Sequence, residues 1–129
     1  MIVETSSIYK AVEMNCIEKI EGGKTLDLSL YELGNVIWKT VNRGNISISE
    51  GKKILDVLMD VISLMEIIRT GLNKEAYEIA VKNNISYYDA SFLHAALSSN
   101  EAIISEDIKL LDIAKKYDIM AYRIEDLPP

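Results

Sequence analysis

The chain has 129 residues, 49% of them apolar and 26% charged, with a formal net charge of −6. That size and apolar share suit one domain with its own core, and no apolar run approaches the roughly 20 residues that cross a bilayer. The acidic balance excludes holding nucleic acid by a broad basic surface, because such binding depends on neutralising phosphates.

Met1-Ile2-Val3 reads as a first strand, with Glu4-Thr5-Ser6-Ser7 as its exit turn and the cap of a short helix through about Met14. Glu21-Gly22-Gly23-Lys24 breaks that pattern before a second strand at Thr25-Leu26-Asp27-Leu28. Ser29-Leu30-Tyr31-Glu32 has the spacing of a capping box, and Leu30, Leu33, Ile37 and Val41 form the apolar stripe of the helix it opens, which ends near Arg43-Gly44. Ser49-Glu50 starts the next helix. Its polar stripe, Lys52, Asp56, Asp60 and Ser63, is narrow, so the apolar remainder calls either for burial on two sides within the monomer or for a partner chain on the second side.

Leu64 to Ile68 reads as a third strand, and Leu72, Ala76, Ile79 and Ala80 mark a helix ending at Asn83-Asn84. The run from Ser86 to Asp107 reads as a helix and then a strand. Ala90, Leu93 and Leu97 make the helix's apolar face, Ser98-Ser99-Asn100 stops it, and Ala102-Ile103-Ile104 is a short run of the buried-strand kind. A helix from about Asp107 to Tyr117, a last strand near Ala121 to Ile124, and Pro128-Pro129 finish the chain. The order β-α-β-α-α-β-α-α-β-α-β implies a three-layer α/β/α sandwich with a mainly parallel five-stranded sheet. Right-handed crossovers bring the carboxyl ends of its strands to one edge.

Four acids fall just after a strand or in a first helical turn: Glu4, Glu32, Asp89 and Asp107. Each has a local explanation, as a capping residue or a complement to a helix dipole. Together at one sheet edge they would repel and raise one another's pKa values unless a cation sits among them. Carboxylate oxygens without Cys or His suit a hard ion, magnesium or manganese before zinc, and such an ion acidifies a bound water and steadies the oxygens of a phosphodiester.

The runs ETSSIYK at 4–10, LSLYELGNVIWK at 28–39, ISYYDASFLHAAL at 85–97 and ISEDIKLL at 104–111 resemble a PIN domain, and the whole chain is similar to the small VapC toxins of toxin–antitoxin pairs. The resemblance implies a magnesium- or manganese-dependent endoribonuclease that leaves a 5′-phosphate and a 3′-hydroxyl. It also implies frequent homodimers and inhibition by a VapB-like antitoxin. Carried over by position, the family's acidic quartet falls on Glu4, Glu32, Asp89 and Asp107, with Thr5 and Ser105 beside it and Asn35 as a further supporting position. Glu4 departs from the family pattern, which has aspartate there; its extra methylene moves the carboxylate outward by roughly 1.5 Å.

A basic antitoxin tail across the acidic site, RNA as substrate, a cytoplasmic location and no membrane are the partner and compartment expectations. The start MIVETSS has no basic segment or signal-type apolar stretch. The alternative is a PIN-fold interaction module with a weakened metal site; a phosphotransfer receiver domain is remoter, since the chain lacks an Asp after a third central strand. His94, the only histidine, has a plain reading as a structural or surface residue and a sharper one as a general base. Cys16 excludes an internal disulfide and is a poor zinc ligand alone. Trp38, Tyr87 and Tyr88 have a plain reading as packing residues and a sharper one as stacking platforms for RNA bases. Lys39, Arg43, Lys52 and Lys53 read as a solvated helix face that could serve as a local basic edge.

Overall fold

The computed structural model describes residues 1–128; Pro129 of the terminal Pro-Pro pair lies outside the described residues. Strands and helices alternate as β1 (Ile2–Val3), α1 (Thr5–Glu13), β2 (Lys24–Leu26), α2 (Leu28–Asn42), α3 (Ile48–Ser63), β3 (Glu66–Ile68), α4 (Lys74–Asn83), α5 (Tyr87–Ser99), β4 (Ile103–Ile104), α6 (Ile108–Lys116) and β5 (Ala121–Tyr122). This is the element order expected from the sequence. Single 3₁₀ turns lie at Ile17–Lys19 and Ile124–Asp126.

The five strands form one sheet in the order β3-β2-β1-β4-β5, and every pair is parallel. Parallel neighbours cannot be joined by a hairpin, so each step needs a helical crossover. The chain winds outward from β1 through β2 to β3 and then returns to the other side of β1 for β4 and β5. Its direction therefore reverses between β1 and β4, and the crevice outside the carboxyl ends of those two strands is where open α/β sheets receive ligands.

Strand side chains alternate between the two faces. Ile2, Leu26 and Ile103 enter one core with Ala90, Phe92 and Leu93 of α5 and Leu110 and Ala114 of α6. Val3 and Ile104 enter the opposite core with Ile8 of α1, Leu33 and Ile37 of α2, and Leu58 and Val61 of α3. Helices thus cover both faces, as the three-layer expectation requires. Phe92 is fully buried, and its truncation to alanine costs about 3–5 kcal/mol. At the α2–α3 contact, a Cβ on Gly51 would meet Val41 Cγ2 at 3.0 Å, so the first turn of α3 lies close to α2 only because that position has no side chain.

Several local expectations are corrected. The capping box at Ser29 and Glu32 does not form: α2 starts two residues earlier, with Asp27 accepting from the Leu28 amide. Ser29 is buried between the Thr5 and Thr25 hydroxyls, and Glu32 turns to Thr5, so tertiary partners take both side chains. α3 starts at Ile48, with a reciprocal box between Ser47 and Glu50. Leu64 and Met65 continue the last turn of α3, which leaves β3 only Glu66–Ile68. Leu72 is fully exposed before α4. On α5, Leu97 is exposed while Phe92, Ala95 and Ala96 are buried beside Ala90 and Leu93. This helix is enclosed on more than one side, so a single-stripe template misassigns it. The monomer does not bury α3 on two sides: Leu58 and Val61 are buried, but Val57 and Met59 are exposed. Among the described residues no helix is long and apolar enough to cross a membrane.

Candidate functional site

Glu4 leaves the end of β1 in an extended conformation and caps α1, where Oε2 accepts the Ser6 amide at 3.1 Å. Its Oε1 accepts the Ser6 hydroxyl and, across the crevice, the Ser105 hydroxyl at 2.7 Å. The side chain is buried, at 8% exposure. The reach of glutamate lets one carboxylate cap its own helix and span to the end of β4.

Ser105 also accepts the amide of Asp107 at 3.0 Å. Asp107 caps α6 through the Leu110 amide at 3.3 Å and is exposed. Asp89 lies in the first turn of α5, which Ser86 opens by accepting the Asp89 amide at 3.0 Å. Glu32 accepts the Thr5 hydroxyl at 2.7 Å. Thr5 in turn meets Ser29 at 3.0 Å, and Ser29 meets Thr25 at 2.8 Å, so a buried hydroxyl chain links the starts of α1 and α2.

The electrostatics tie the four acids together. Burial pushes the Asp89 carboxyl above its ordinary range, and the charges of Glu4 and then Asp107 push it further, against smaller pulls from the Ser86 hydroxyl and then Lys109. Glu32 is likewise raised, first by burial and then by Glu4 and Asp89, with the Thr5 hydroxyl opposing. Positions 4, 32, 89 and 107 thus come within electrostatic reach at the switch-point edge, where negative charge is disfavoured and a cation would relieve it.

Among the described residues, however, no three Asp, Glu, His or Cys side chains are grouped tightly enough to coordinate one ion. The orientations account for this, since Glu4 is turned to Ser6 and Ser105 and Asp107 to its own helix. Charge acts over longer distances than a coordinate bond, so coupling without a closed cage is consistent. The donor chemistry fits a hard divalent ion, because the site offers only carboxylate and hydroxyl oxygens.

Of the supporting positions, Thr5 and Ser105 contact the acids directly. Asn35 is exposed and lines the clefts on both sides of Glu32. Sequence reasoning missed Ser6, Ser29 and Thr25; Ser6 alone has a local signal, the hydroxyl run Thr5-Ser6-Ser7 at the exit of β1. Glu106, the carboxylate beside Asp107 in the chain, points inward, accepting the Ser7 hydroxyl and the Ile124 amide, both at 3.0 Å, near Arg123. It ties the chain's end to α1. His94 pairs with Glu75 of α4 at 3.0 Å, which agrees with its structural reading. The Tyr87 hydroxyl is held by the Gly71 carbonyl and the Asn73 amide, a packing role, whereas Trp38 and Tyr88 are exposed. A separate hollow ringed by Thr70, Asn73, Tyr87 and His94 contains none of the four acids.

Residues 2–116 match the family described as PIN domain. The chain belongs to that family. This PIN domain is similar to Exonuclease VapC9 of Pyrobaculum aerophilum, 29% identical over 112 residues that cover 85% of this chain and 82% of the relative. It is also similar to Ribonuclease VapC3 of the same organism, 27% identical over 89 residues, 68% of each chain. The crystal structure of PAE2754 from Pyrobaculum aerophilum superposes with a TM-score of 0.82 at 26% identity, covering 96% of this PIN domain and 83% of that chain. A PilT N-terminus domain protein, SSO1118 of Sulfolobus solfataricus, shares the fold at 17% identity and a TM-score of 0.59, covering 97% of this chain and 87% of that one.

Proposed function

We propose that this PIN domain is a divalent-metal-dependent ribonuclease that hydrolyses RNA phosphodiester bonds internally, acting as the toxin of a toxin–antitoxin pair in the cytoplasm. The observation that carries the reading is that Glu4 after β1, Asp107 after β4, Glu32 of α2 and Asp89 of α5 come within electrostatic reach of one another. The names of the two relatives, a ribonuclease and an exonuclease, support the reaction class. Glu4, Glu32, Asp89 and Asp107 would hold magnesium or manganese. When bound, such an ion supplies the positive charge that offsets their repulsion and polarises the phosphodiester. Ser105 and Ser6 orient Glu4, and Thr5 orients Glu32, so the protein's own hydroxyls set where the carboxylates point.

A VapB-like antitoxin with a basic tail suits both the acid cluster and the net charge of −6. The open side of α3, where Met59 is 65% exposed beside a groove formed with α2, suits a second copy of the chain as a homodimer.

The test is incubation of the purified protein with a closed circular single-stranded RNA and manganese, beside EDTA and Asp89→Asn controls. Linearisation that needs the metal and Asp89, with 5′-phosphate ends, supports internal hydrolysis. Cleavage of linear but not circular RNA would instead assign exonucleolytic attack, and equal cleavage by Asp89→Asn would remove the acids from the chemistry.

A further inference from the structure

Two clefts meet at the edge of α2 formed by Glu32 and Asn35. One is of mixed character and is lined by Glu4, Thr5, Ser6 and Lys39 together with Tyr9 and Val36. The other, on the far side of the same two residues, is walled by Leu28, Tyr31 and Tyr88. It measures about 430 Å³, within the roughly 300–1,000 Å³ typical of small-molecule clefts. Tyr31 is 82% exposed and Tyr88 61%, so two phenol rings stand in water at the mouth of one cleft. Each directly precedes a site acid in the chain, Glu32 in one case and Asp89 in the other.

The two clefts differ in charge. Lys39 lies on the side that also holds Glu4, where a phosphate would sit, while the Tyr31 and Tyr88 side offers flat aromatic and aliphatic surface with no cation in its lining. Unpaired bases of RNA are held by stacking on aromatic rings, and stacking tolerates any base because each has a π-face. At the divide, the Asn35 amide carries both a donor and an acceptor, the combination a base edge can use.

We propose that Tyr31 and Tyr88 form a stacking slot for one unpaired nucleobase of the RNA next to the scissile phosphate, with Asn35 contacting that base's edge. The slot rests on the nuclease reading above and adds to it that the substrate is single-stranded at this nucleotide.

The experiment uses single-stranded hexaribonucleotides carrying 2-aminopurine at each position in turn, with calcium present to offset the acids during binding. Stacking quenches the probe at one position in the wild type. Binding weakens roughly 5- to 100-fold in Tyr31→Ala and in Tyr88→Ala, the range of one lost stack, and is retained in the Tyr→Phe variants. In cleavage with manganese the same alanine variants raise KM by a similar factor with little change in kcat. An abasic nucleotide at the quenched position costs the wild type that factor and costs Tyr88→Ala nothing more. Wild-type cleavage with alanine variants that bind and cut equally well overturns the slot and leaves the nuclease reading standing, which would reassign the cleft to a protein segment. Absence of quenching at every position also overturns it. Tyrosine-dependent quenching by a wild type that cuts no RNA keeps the slot and overturns the nuclease reading.

Discussion

Ser105 donates its hydroxyl to Glu4 at 2.7 Å although the two are 101 positions apart in the chain. The same oxygen receives the Asp107 amide, so one fully buried serine sets the spacing between the acid that leaves β1 and the acid that leaves β4. Ser105→Ala is expected to cost about 1–2 kcal/mol in a urea titration, since it leaves buried polar groups without their partner. Initial rates on RNA are expected to fall roughly tenfold, the scale of losing a group that orients a metal ligand. A variant that loses stability but cleaves at the wild-type rate would reduce Ser105 to packing.

Glu32 and Asp89 are both raised by burial and by neighbouring acids, so the folded chain holds their protons more tightly than the unfolded chain does. Their contribution to stability is therefore fullest below the ordinary carboxylate range and declines as pH rises through the folded-state values. At neutral pH their charges oppose folding. Glu32→Gln and Asp89→Asn are each expected to raise the metal-free Tm at pH 7 while lowering RNA cleavage by about 100-fold or more. Manganese is expected to raise the wild-type Tm more at pH 7 than at pH 4.5. Melting curves at the two pH values check both signs.

Glu101 behaves in the opposite sense. Its carboxylate takes the Met1 amino group at 2.8 Å and Lys24 Nζ at 2.9 Å, and those hydrogen bonds, the amino group's first, hold its pKa at about 2. This depressed acid adds stability above its unfolded pKa and loses it as pH falls from about 5 towards 2. The group is partly exposed, so solvent screening keeps the effect small. Glu101→Gln is expected to lower Tm slightly at pH 7 and to flatten the wild-type decline in acid; an unchanged acid limb would contradict the assignment.

The order of strands and helices was legible because short apolar runs such as Ile103-Ile104 are bounded by stop signals such as Asn100, which caps α5 in the left-handed conformation. The places of Asp89 and Asp107 at helix starts were legible because Ser86 precedes the one by a first-turn spacing and the apolar run of β4 precedes the other. The Ser29-to-Glu32 box was misread, since spacing cannot reveal that Thr5, more than 20 positions away, competes for both side chains. Leu97 and Phe92 exchanged roles because α5 is enclosed on more than one side, where a single apolar stripe no longer marks the core. Ser6, Ser29 and Thr25 were missed for the same reason as the box: a hydroxyl's partner is a tertiary fact.

The most direct test is calorimetric titration of manganese into the wild type and into Asp107→Asn, whose side chain is exposed and whose loss leaves the core intact. Saturable binding by the wild type that weakens at least tenfold in the variant is the result expected of the proposal that acids from distant parts of the chain act on one ion. Identical isotherms, or no binding by the wild type, would contradict it.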